Sequence, residues 1–145
     1  MNELEEGGRL QLDFGKIAKV ALNCPDVIPV AVQDVDTGEV ILVAYTNALA
    51  FRKALQKRSL ILWSTARNEL WEKGKTSGQT FELVEVHVNC EQNALLYRVR
   101  RCRAGSAGRE HTGGVCHTKN RRGRHRDCFY RRVNPETLEL ETVDP

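Results

Sequence analysis

The sequence predicts an α+β fold, a mainly antiparallel sheet with a few short helices, in a single domain of residues 1–145. Two observations favour this class: short β-rich runs separated by turn residues, and only two short stretches with helical spacing of apolar residues. The length of 145 residues suits one hydrophobic core and is too short for two. Together they indicate one α+β domain.

Four of the β-rich runs form two predicted hairpins. IPVAVQD at 28–34 and VILVAYT at 40–46 are joined by a turn that contains Asp36-Thr37-Gly38. LVEVHV at 83–88 and ALLYRV at 94–99 are joined by Asn89–Asn93. LILWST at 60–65 and residues 128–133 are predicted as further strands.

Helical spacing is found in two places. The stretch 13–22 has apolar residues at Phe14, Ile17, Ala18 and Ala21. Asn47 is a good N-cap for a second helix that runs to about Lys57, with one face formed by Ala48, Phe51 and Leu55. Both helices are short, as expected for segments that cover a sheet.

Composition narrows the class of protein. The first ten residues lack the basic start and apolar run of a signal peptide, and the longest apolar stretch, around Val40–Tyr45, is far too short to span a membrane. We therefore expect a cytoplasmic protein without a membrane segment.

The five cysteines, an odd number, argue against a disulfide framework and favour metal ligands, reactive thiols or small buried side chains.

Charge is distributed unevenly along the chain. The segment Arg98–Arg132 holds eleven Arg and one Lys against Glu110 and Asp127, a net charge of +10, whereas the whole chain has only +3. So dense a basic segment predicts an anionic partner. The alternative is a solvated loop, which is favoured by glycines at 105, 108, 113, 114 and 123.

Three of the cysteines are candidate zinc ligands. Cys90 lies in a tight turn between two strands, and Cys116 and Cys128 bracket a polar loop. Thiolates suit zinc, and three protein ligands leave one tetrahedral position for a water that ionises near neutral pH. The gaps of twenty-five and eleven residues match no compact zinc finger, so scattered thiols remain the alternative, with Cys24 and Cys102 incidental.

One histidine is a candidate for proton transfer. His117 directly follows Cys116 and is a possible general base beside the metal, because imidazole titrates near neutral pH. The alternative is a solvated loop histidine. His87 alternates with valines, which suits either a surface residue or a support for a ligand, and His111 and His125 have no assigned role.

Four blocks of the sequence resemble the phosphoribosyl-AMP cyclohydrolase family. They are VQDVDTGEVILVAYTN at 32–47, LWSTARNELWEKGKTSGQT at 62–80, VNCEQNALL at 88–96 and CHTKNRRGRHRDCFYRR at 116–132. The second block is the most specific. The family-like core therefore covers about residues 25–133, with short extensions at both ends.

The resemblance implies an enzyme of histidine biosynthesis that hydrolytically opens the adenine ring of phosphoribosyl-AMP between nitrogen 1 and carbon 6. It implies an intertwined homodimer with active sites at the subunit interface. It also implies zinc held by Cys90, Cys116 and Cys128, one of them contributed across that interface. His117 would then move protons beside zinc-activated water.

The second block also contains all the residues that we expect to bind substrate. A glycine- and hydroxyl-rich stretch can present backbone N–H groups to a phosphate, and nearby cations can add charge. Lys75 is a further possible cation, and Trp63 or Trp71 could stack on the purine or lie in the core. The residues expected to bind substrate are Trp63, Ser64, Arg67, Lys73, Gly74, Thr76, Ser77 and Gly78.

Two departures from the family pattern lie close to these residues. The magnesium site attributed to three aspartates around the first cysteine is replaced here by Asn89, Glu91 and Asn93, which should bind magnesium far more weakly. Eleven residues instead of six separate Cys116 from Cys128, which leaves Cys102 as a possible substitute ligand.

A zinc hydrolase of another nucleotide or purine-like ring therefore stays an alternative. So does a non-enzymatic module that binds zinc or nucleic acid through the basic segment, although the segment lacks the interleaved aromatics that favour nucleic acid.

Overall fold

The computed structural model describes residues 2–24, 26–75, 78–103 and 113–143. Its helices are α1 (Glu3–Glu6), α2 (Lys16–Asn23) and α3 (Ala48–Lys57). Its strands are β1 (Ile28–Asp34), β2 (Val40–Thr46), β3 (Ile61–Ser64), β4 (Glu69–Glu72), β5 (Gln79–Val88), β6 (Leu95–Arg103), β7 (Arg131–Val133) and β8 (Leu140–Thr142). The predicted α+β class is confirmed.

Six strands form one sheet in the order β4-β3-β2-β1-β6-β5, antiparallel except for the parallel pair β1 and β6. Both predicted hairpins are present, although β5 and β6 are longer than predicted. The sheet curls until its two ends approach each other. The Leu60 N–H donates to the Phe81 carbonyl at 3.2 Å, and the Leu83 N–H donates to the Arg58 carbonyl at 3.0 Å.

A β-bulge lies in the first hairpin. Val32 faces Leu42 and Gln33 faces Val40, so Ile41 has no partner residue on β1. Its side chain is buried, and its carbonyl accepts a hydrogen bond from the Cys128 N–H at 3.0 Å. The irregularity thus provides an anchor for a distant loop.

The interior of the curled sheet is the hydrophobic core. Its fully buried side chains include Val30, Val32, Ile41, Leu60, Leu62, Phe81, Leu83, Tyr97, Val99 and Val115. Val115 comes from the loop near the C-terminus rather than from the sheet. Its burial fastens that loop to the core.

Helix α3 begins as predicted, since the Asn47 side chain accepts a hydrogen bond from the Ala50 N–H at 2.9 Å. The expected face was partly wrong: Ala50 and Ala54 are fully buried, whereas Leu55 is exposed. Helix α2 is present, but Phe14 and Ile17 are exposed and only Val20 of this helix is buried. The small alanines allow α3 to pack closely on the sheet, which a stripe of larger residues would prevent.

The C-terminal strand is shorter than predicted. Of residues 128–133 only Arg131–Val133 is β-structure, and it pairs with β8 in a separate two-stranded sheet. Strands β4 and β8 were not predicted, because their charged residues hide the β pattern. Among the residues that the structure describes, no helix is long and apolar enough to cross a membrane.

Candidate metal centre and surrounding residues

Two of the three predicted zinc ligands lie side by side. The thiols of Cys116 and Cys128 are hydrogen-bonded to each other. Two backbone contacts fix their positions: the Cys116 N–H donates to the Arg126 carbonyl at 2.7 Å, and the Cys128 N–H donates to Ile41 at 3.0 Å. The loop therefore folds back on itself and delivers both sulfur atoms to one place.

The environment of this pair favours a thiolate at Cys116. The pKa of Cys116 is lowered to about 5, chiefly by the hydrogen bond from the Cys128 thiol and to a smaller extent by the Thr118 hydroxyl, 3.2 Å from the sulfur, while burial acts in the opposite direction. The pKa of Cys128 is raised, first because its thiol donates that hydrogen bond and then because it is buried. Near neutral pH the metal-free pair thus shares a single negative charge.

Lys73 is the cation beside the two sulfurs. Burial lowers the pKa of its ammonium group, while the charges of Cys116 and Cys128 act in the opposite direction. Its backbone N–H donates to the Leu60 carbonyl at 3.0 Å, directly after β4 ends. The structure therefore brings a predicted substrate-binding residue to the predicted metal ligands.

Gly74 follows with a positive φ of 87°, and a Cβ there would collide with the backbone of Gln79 and Thr80. This turn needs glycine because β5 passes directly against it. Gly78 also has a positive φ, 78°, and its N–H donates to the Gly74 carbonyl at 2.9 Å. Thr76 and Ser77, the other two predicted members, lie outside the described residues.

A buried ionic network supports the cysteine loop. The Arg101 guanidinium donates to Asp34 at 3.1 Å, to both oxygens of Asp127 at 2.8 and 3.2 Å, and to the Gly113 carbonyl at 2.9 Å. One Asp127 oxygen also accepts the Val115 N–H at 3.1 Å. Because Asp127 and Val115 are the neighbours of Cys128 and Cys116, this network holds both cysteines against the sheet.

His117 lies next to the pair but points outward. Its side chain is 74% exposed, and its Nε2 is 2.9 Å from a carboxylate oxygen of Glu5. The hydrogen bond to Glu5 raises the pKa of His117. A carboxylate only accepts hydrogen bonds, so this contact places a proton on Nε2 and leaves Nδ1 as the nitrogen available to a substrate.

Glu5 belongs to an N-terminal segment, Asn2–Arg9, that crosses the cysteine loop. The Tyr130 hydroxyl donates to the Glu5 carbonyl, and the Arg131 guanidinium donates to the carbonyls of Gly7 at 2.9 Å and Leu4 at 3.0 Å. Arg126 completes the contact with an ion pair to Glu6 at 3.5 Å. These contacts hold Glu5 in position beside His117.

Cys90 lies away from the pair within one chain. It is exposed in the turn between β5 and β6, next to the start of β6 at Leu95. The network that holds the other two cysteines contacts β6 at Arg101, six residues after Leu95. Six residues of a strand span about 20 Å, so Cys90 and the pair lie at different ends of β6. Among the described residues, which include all three cysteines, no three His, Cys, Asp or Glu side chains are grouped to hold one metal ion.

The predicted magnesium turn stabilises itself. The Asn89 side-chain oxygen accepts the N–H groups of Asn93 and Ala94, both at 2.9 Å, and its amide donates to the Asn93 side-chain oxygen at 2.7 Å. Both amide side chains are therefore engaged in shaping the turn. The Glu91 carboxylate is the anionic oxygen ligand that the turn can offer.

Three predicted substrate-binding residues lie at the other end of the β3–β4 hairpin from Lys73. Trp63 packs partly against the core and donates to Asn68 at 3.0 Å, Ser64 accepts the Arg67 N–H at 3.3 Å, and Arg67 pairs with Glu69 at 3.3 Å. Trp71 also packs against the core. Within one chain the structure does not join this group to the thiols.

Five of the twelve cations of the basic segment are paired with acids of the same chain among the residues that the structure describes. Arg98 binds Glu85, Arg100 binds Glu82 and Asp36, Arg101 binds Asp34 and Asp127, Arg126 binds Glu6, and Arg132 binds Glu141. His87 is a surface residue that contacts Glu85 at 2.8 Å, and His111 lies outside the described residues. Acids of the same chain thus neutralise only part of the positive charge that predicts an anionic partner.

Sequence reasoning missed the supporting residues Arg101, Asp34, Asp127, Thr118, Glu5 and His125. His125 is 2.9 Å from the Cys116 carbonyl through its Nδ1. Asp34 and Asp127 lie 93 positions apart, so no local pattern connects them. One supporting residue could have been found from the sequence: Asp127 is a lone acid within a strongly basic stretch, and it lies beside Cys128.

The curled α+β sheet and the paired thiols define a small domain that brings together two of the three candidate ligands for a metal ion. The family model described as phosphoribosyl-AMP cyclohydrolase matches residues 42–130. The phosphoribosyl-AMP cyclohydrolase of Hyphomonas neptunium is 42% identical over 79% of this chain and 76% of its own length. Those of Haloarcula marismortui and Bradyrhizobium diazoefficiens are each 37% identical, over 87% and 93% of this chain and 92% and 80% of their own lengths.

The chain belongs to the phosphoribosyl-AMP cyclohydrolase family. The matched region contains all three candidate zinc cysteines, Lys73 and His117, whereas Glu5 lies outside it. The resemblance drawn from the four sequence blocks is therefore confirmed, and the chain is an enzyme of this family.

Proposed function

We propose that this enzyme opens the adenine ring of phosphoribosyl-AMP between nitrogen 1 and carbon 6 in histidine biosynthesis, with zinc held by two copies of the chain. In this proposal Cys116 and Cys128 of one copy and Cys90 of the partner subunit bind one zinc ion. The observation that carries it is the pair of hydrogen-bonded thiols beside Lys73, inside the region that matches the family.

The donor set fits zinc. Two adjacent sulfurs, one of them with a pKa of about 5, are soft ligands that lose their protons readily to this metal. A bound zinc ion would supply Lewis acidity and a water that ionises near neutral pH. Because Cys90 is exposed and distant within its own chain, it is free to serve a second copy, and a two-fold dimer would complete two such sites.

His117 is proposed to move a proton at the reacting bond. Its Nε2 is held by Glu5, so Nδ1 is the atom that gives or takes the proton. Because Glu5 raises the pKa of His117, a larger fraction of the imidazole is protonated near neutral pH. This favours proton donation to ring nitrogen 1 as its bond to carbon 6 breaks.

Lys73 and Gly74 are proposed to bind and orient the substrate. The Lys73 ammonium lies in a partly buried position, where a charge interacts more strongly than at the surface. Gly74 is proposed to orient Lys73, because its positive φ of 87° turns the chain directly after that residue and against β5. Magnesium has no comparable place in the Asn89–Asn93 turn, because both amide side chains already serve the turn.

Turnover of phosphoribosyl-AMP tests the activity. The zinc-loaded protein is expected to change the ultraviolet absorbance of the substrate as the ring opens, with or without added magnesium. Cys116→Ser and Cys128→Ser are expected to lose bound zinc, whereas Cys24→Ser is the matched control, because the Cys24 thiol is buried elsewhere against the Thr65 carbonyl at 3.4 Å. Absence of turnover by folded, zinc-loaded protein would refute the proposal.

Mixing two inactive variants tests whether the zinc site is shared. Cys90→Ser and Cys116→Ser are each expected to be inactive alone. Co-refolded at equal amounts, about half of the dimers are mixed and each mixed dimer has one intact site of two, so about one quarter of the activity should return. If the three ligands came from one chain, mixing would restore none.

A further inference from the structure

A short hairpin projects from the loop between the two paired cysteines. We call it the basic finger, Lys119–His125, because these two residues pair across its base. The Asn120 N–H donates to the Arg124 carbonyl at 2.9 Å, and the Asn120 side chain accepts the N–H groups of Arg122 and Arg124 at 2.9 and 3.1 Å. Gly123 closes the turn with a positive φ of 77°. The finger thus has a defined backbone rather than a free loop conformation.

The finger concentrates charge that its own chain does not neutralise. Lys119, Arg121, Arg122 and Arg124 are exposed, and no ion pair joins them to another residue in the described part of the chain. Other arginines of the basic segment differ, because acids of the same chain face Arg98, Arg100 and Arg132. Four like charges within six residues repel one another, which indicates an anionic ligand.

The base of the finger adjoins the thiols. The Thr118 hydroxyl, 3.2 Å from the Cys116 sulfur, immediately precedes the finger, and His125 at its other side contacts the Cys116 carbonyl at 2.9 Å. Asn120 and Arg124 also line a cavity of about 570 Å³ that is bounded by Asp127 and Phe129, the two neighbours of Cys128. A cavity of this size suits a small-molecule ligand.

We propose that the basic finger binds a 5′-phosphate of the substrate and sets specificity for its doubly phosphorylated form. This inference rests on the proposed function. The phosphates lie at the ends of the substrate, away from the ring carbon that reacts, so cations that recognise them must surround the metal site rather than occupy it. The tip of the finger lies two to three residues, or about 10 Å, beyond its base. It is therefore placed around the metal site rather than in it.

Steady-state kinetics of Arg121→Gln/Arg122→Gln test the proposal. The KM for phosphoribosyl-AMP is expected to rise about tenfold with kcat unchanged, because the cations bind substrate without touching the reacting bond. The decline of kcat/KM with added salt should also become shallower. Arg52→Gln/Lys53→Gln on α3 is the matched control, since it removes the same charge from another surface and should leave KM unchanged.

Substrate analogues identify the phosphate. Two analogues are used, each lacking one 5′-phosphate, and the finger variant should lose its effect on KM with one of them only. Wild-type turnover with an unchanged KM in the finger variant would overturn the inference and leave the proposed function intact. An equal rise of KM with both analogues, or in the α3 control, would also overturn it. Arg124→Gln is a second variant, and it should shift KM in the same direction.

Discussion

Replacing Arg101 with Met removes the centre of the network that holds the cysteine loop. The Arg101 side chain is only 16% exposed, and its charge faces Asp34 and Asp127, whose side chains are 5% and 28% exposed. Met preserves most of the length and the apolar part of the side chain but leaves two carboxylates without their cation. The Gly113 carbonyl loses its donor, and the Asp127 carboxylate that accepts the Val115 N–H loses the cation that holds it.

The expected loss is large compared with a surface ion pair. Removing one partner of a buried pair costs about 3 to 5 kcal/mol, because a buried charge is left unpaired. For a domain of this size that corresponds to a decrease in Tm of roughly 10 °C. Arg100 is the matched control on the same strand, since its guanidinium pairs with Glu82 at 3.3 Å at the surface, and Arg100→Met should cost less than about 1 kcal/mol.

Urea unfolding of metal-free protein measures both variants, and zinc titration follows in the folded state. Arg101→Met should lower the free energy of unfolding several times more than Arg100→Met, and it should also weaken zinc binding because Asp127 adjoins Cys128. Equal losses in the two variants would refute the role assigned to the buried network. An unchanged zinc affinity would show that the network stabilises the fold without positioning the sulfurs.

Two further predictions concern the same loop. A Cβ at Gly114 would collide with the Arg126 backbone, so Gly114→Ala should release zinc and lower stability, measured by zinc stoichiometry and thermal unfolding; Gly8→Ala, where the nearest atom is 3.6 Å away, should change neither. Glu5→Gln should lower the pKa of His117, observed by NMR titration of the imidazole, and an unchanged pKa would contradict the assigned contact. Since Glu5 raises the folded-state pKa of His117, its contribution to stability is present at low pH and lost as the pH rises through that pKa, and this dependence should weaken in Glu5→Gln.

The fold was predictable wherever local patterns decide it. The two hairpins follow from alternating β-rich runs and their turn residues, and Asn47 marks the start of α3 by its side chain. Strand β4 was not predictable, because ELWE has charges at both ends and is a strand only by pairing with β3. The parallel pairing of β1 with β6 likewise depends on contacts between distant residues.

The candidate site was predictable only in part, for a related reason. Cysteines and histidine are recognisable by type, so Cys116, Cys128 and His117 could be named before their positions were known. The residues that hold these side chains in place could not be named from the sequence. Arg101, Asp34 and Glu5 act through contacts with residues that are 26 to 112 positions away in the sequence. Basic residues in particular look alike in sequence, whether they pair internally, as Arg101 does, or remain exposed, as Arg122 does.

That distinction gives the basic segment two separate roles. Three arginines of β6, Arg98, Arg100 and Arg101, are matched by acids and serve the fold, so their substitution should change stability before it changes KM. The cations of the basic finger contact no acid among the described residues, so their substitution should change KM before it changes stability. The eleven residues between Cys116 and Cys128 therefore combine a rigid support for the thiols at their ends with a charged surface in their middle. Because the finger starts and ends at the cysteine loop, a phosphate bound at its tip would lie about 10 Å from the base of the finger beside the thiols, apart from the ring carbon that reacts.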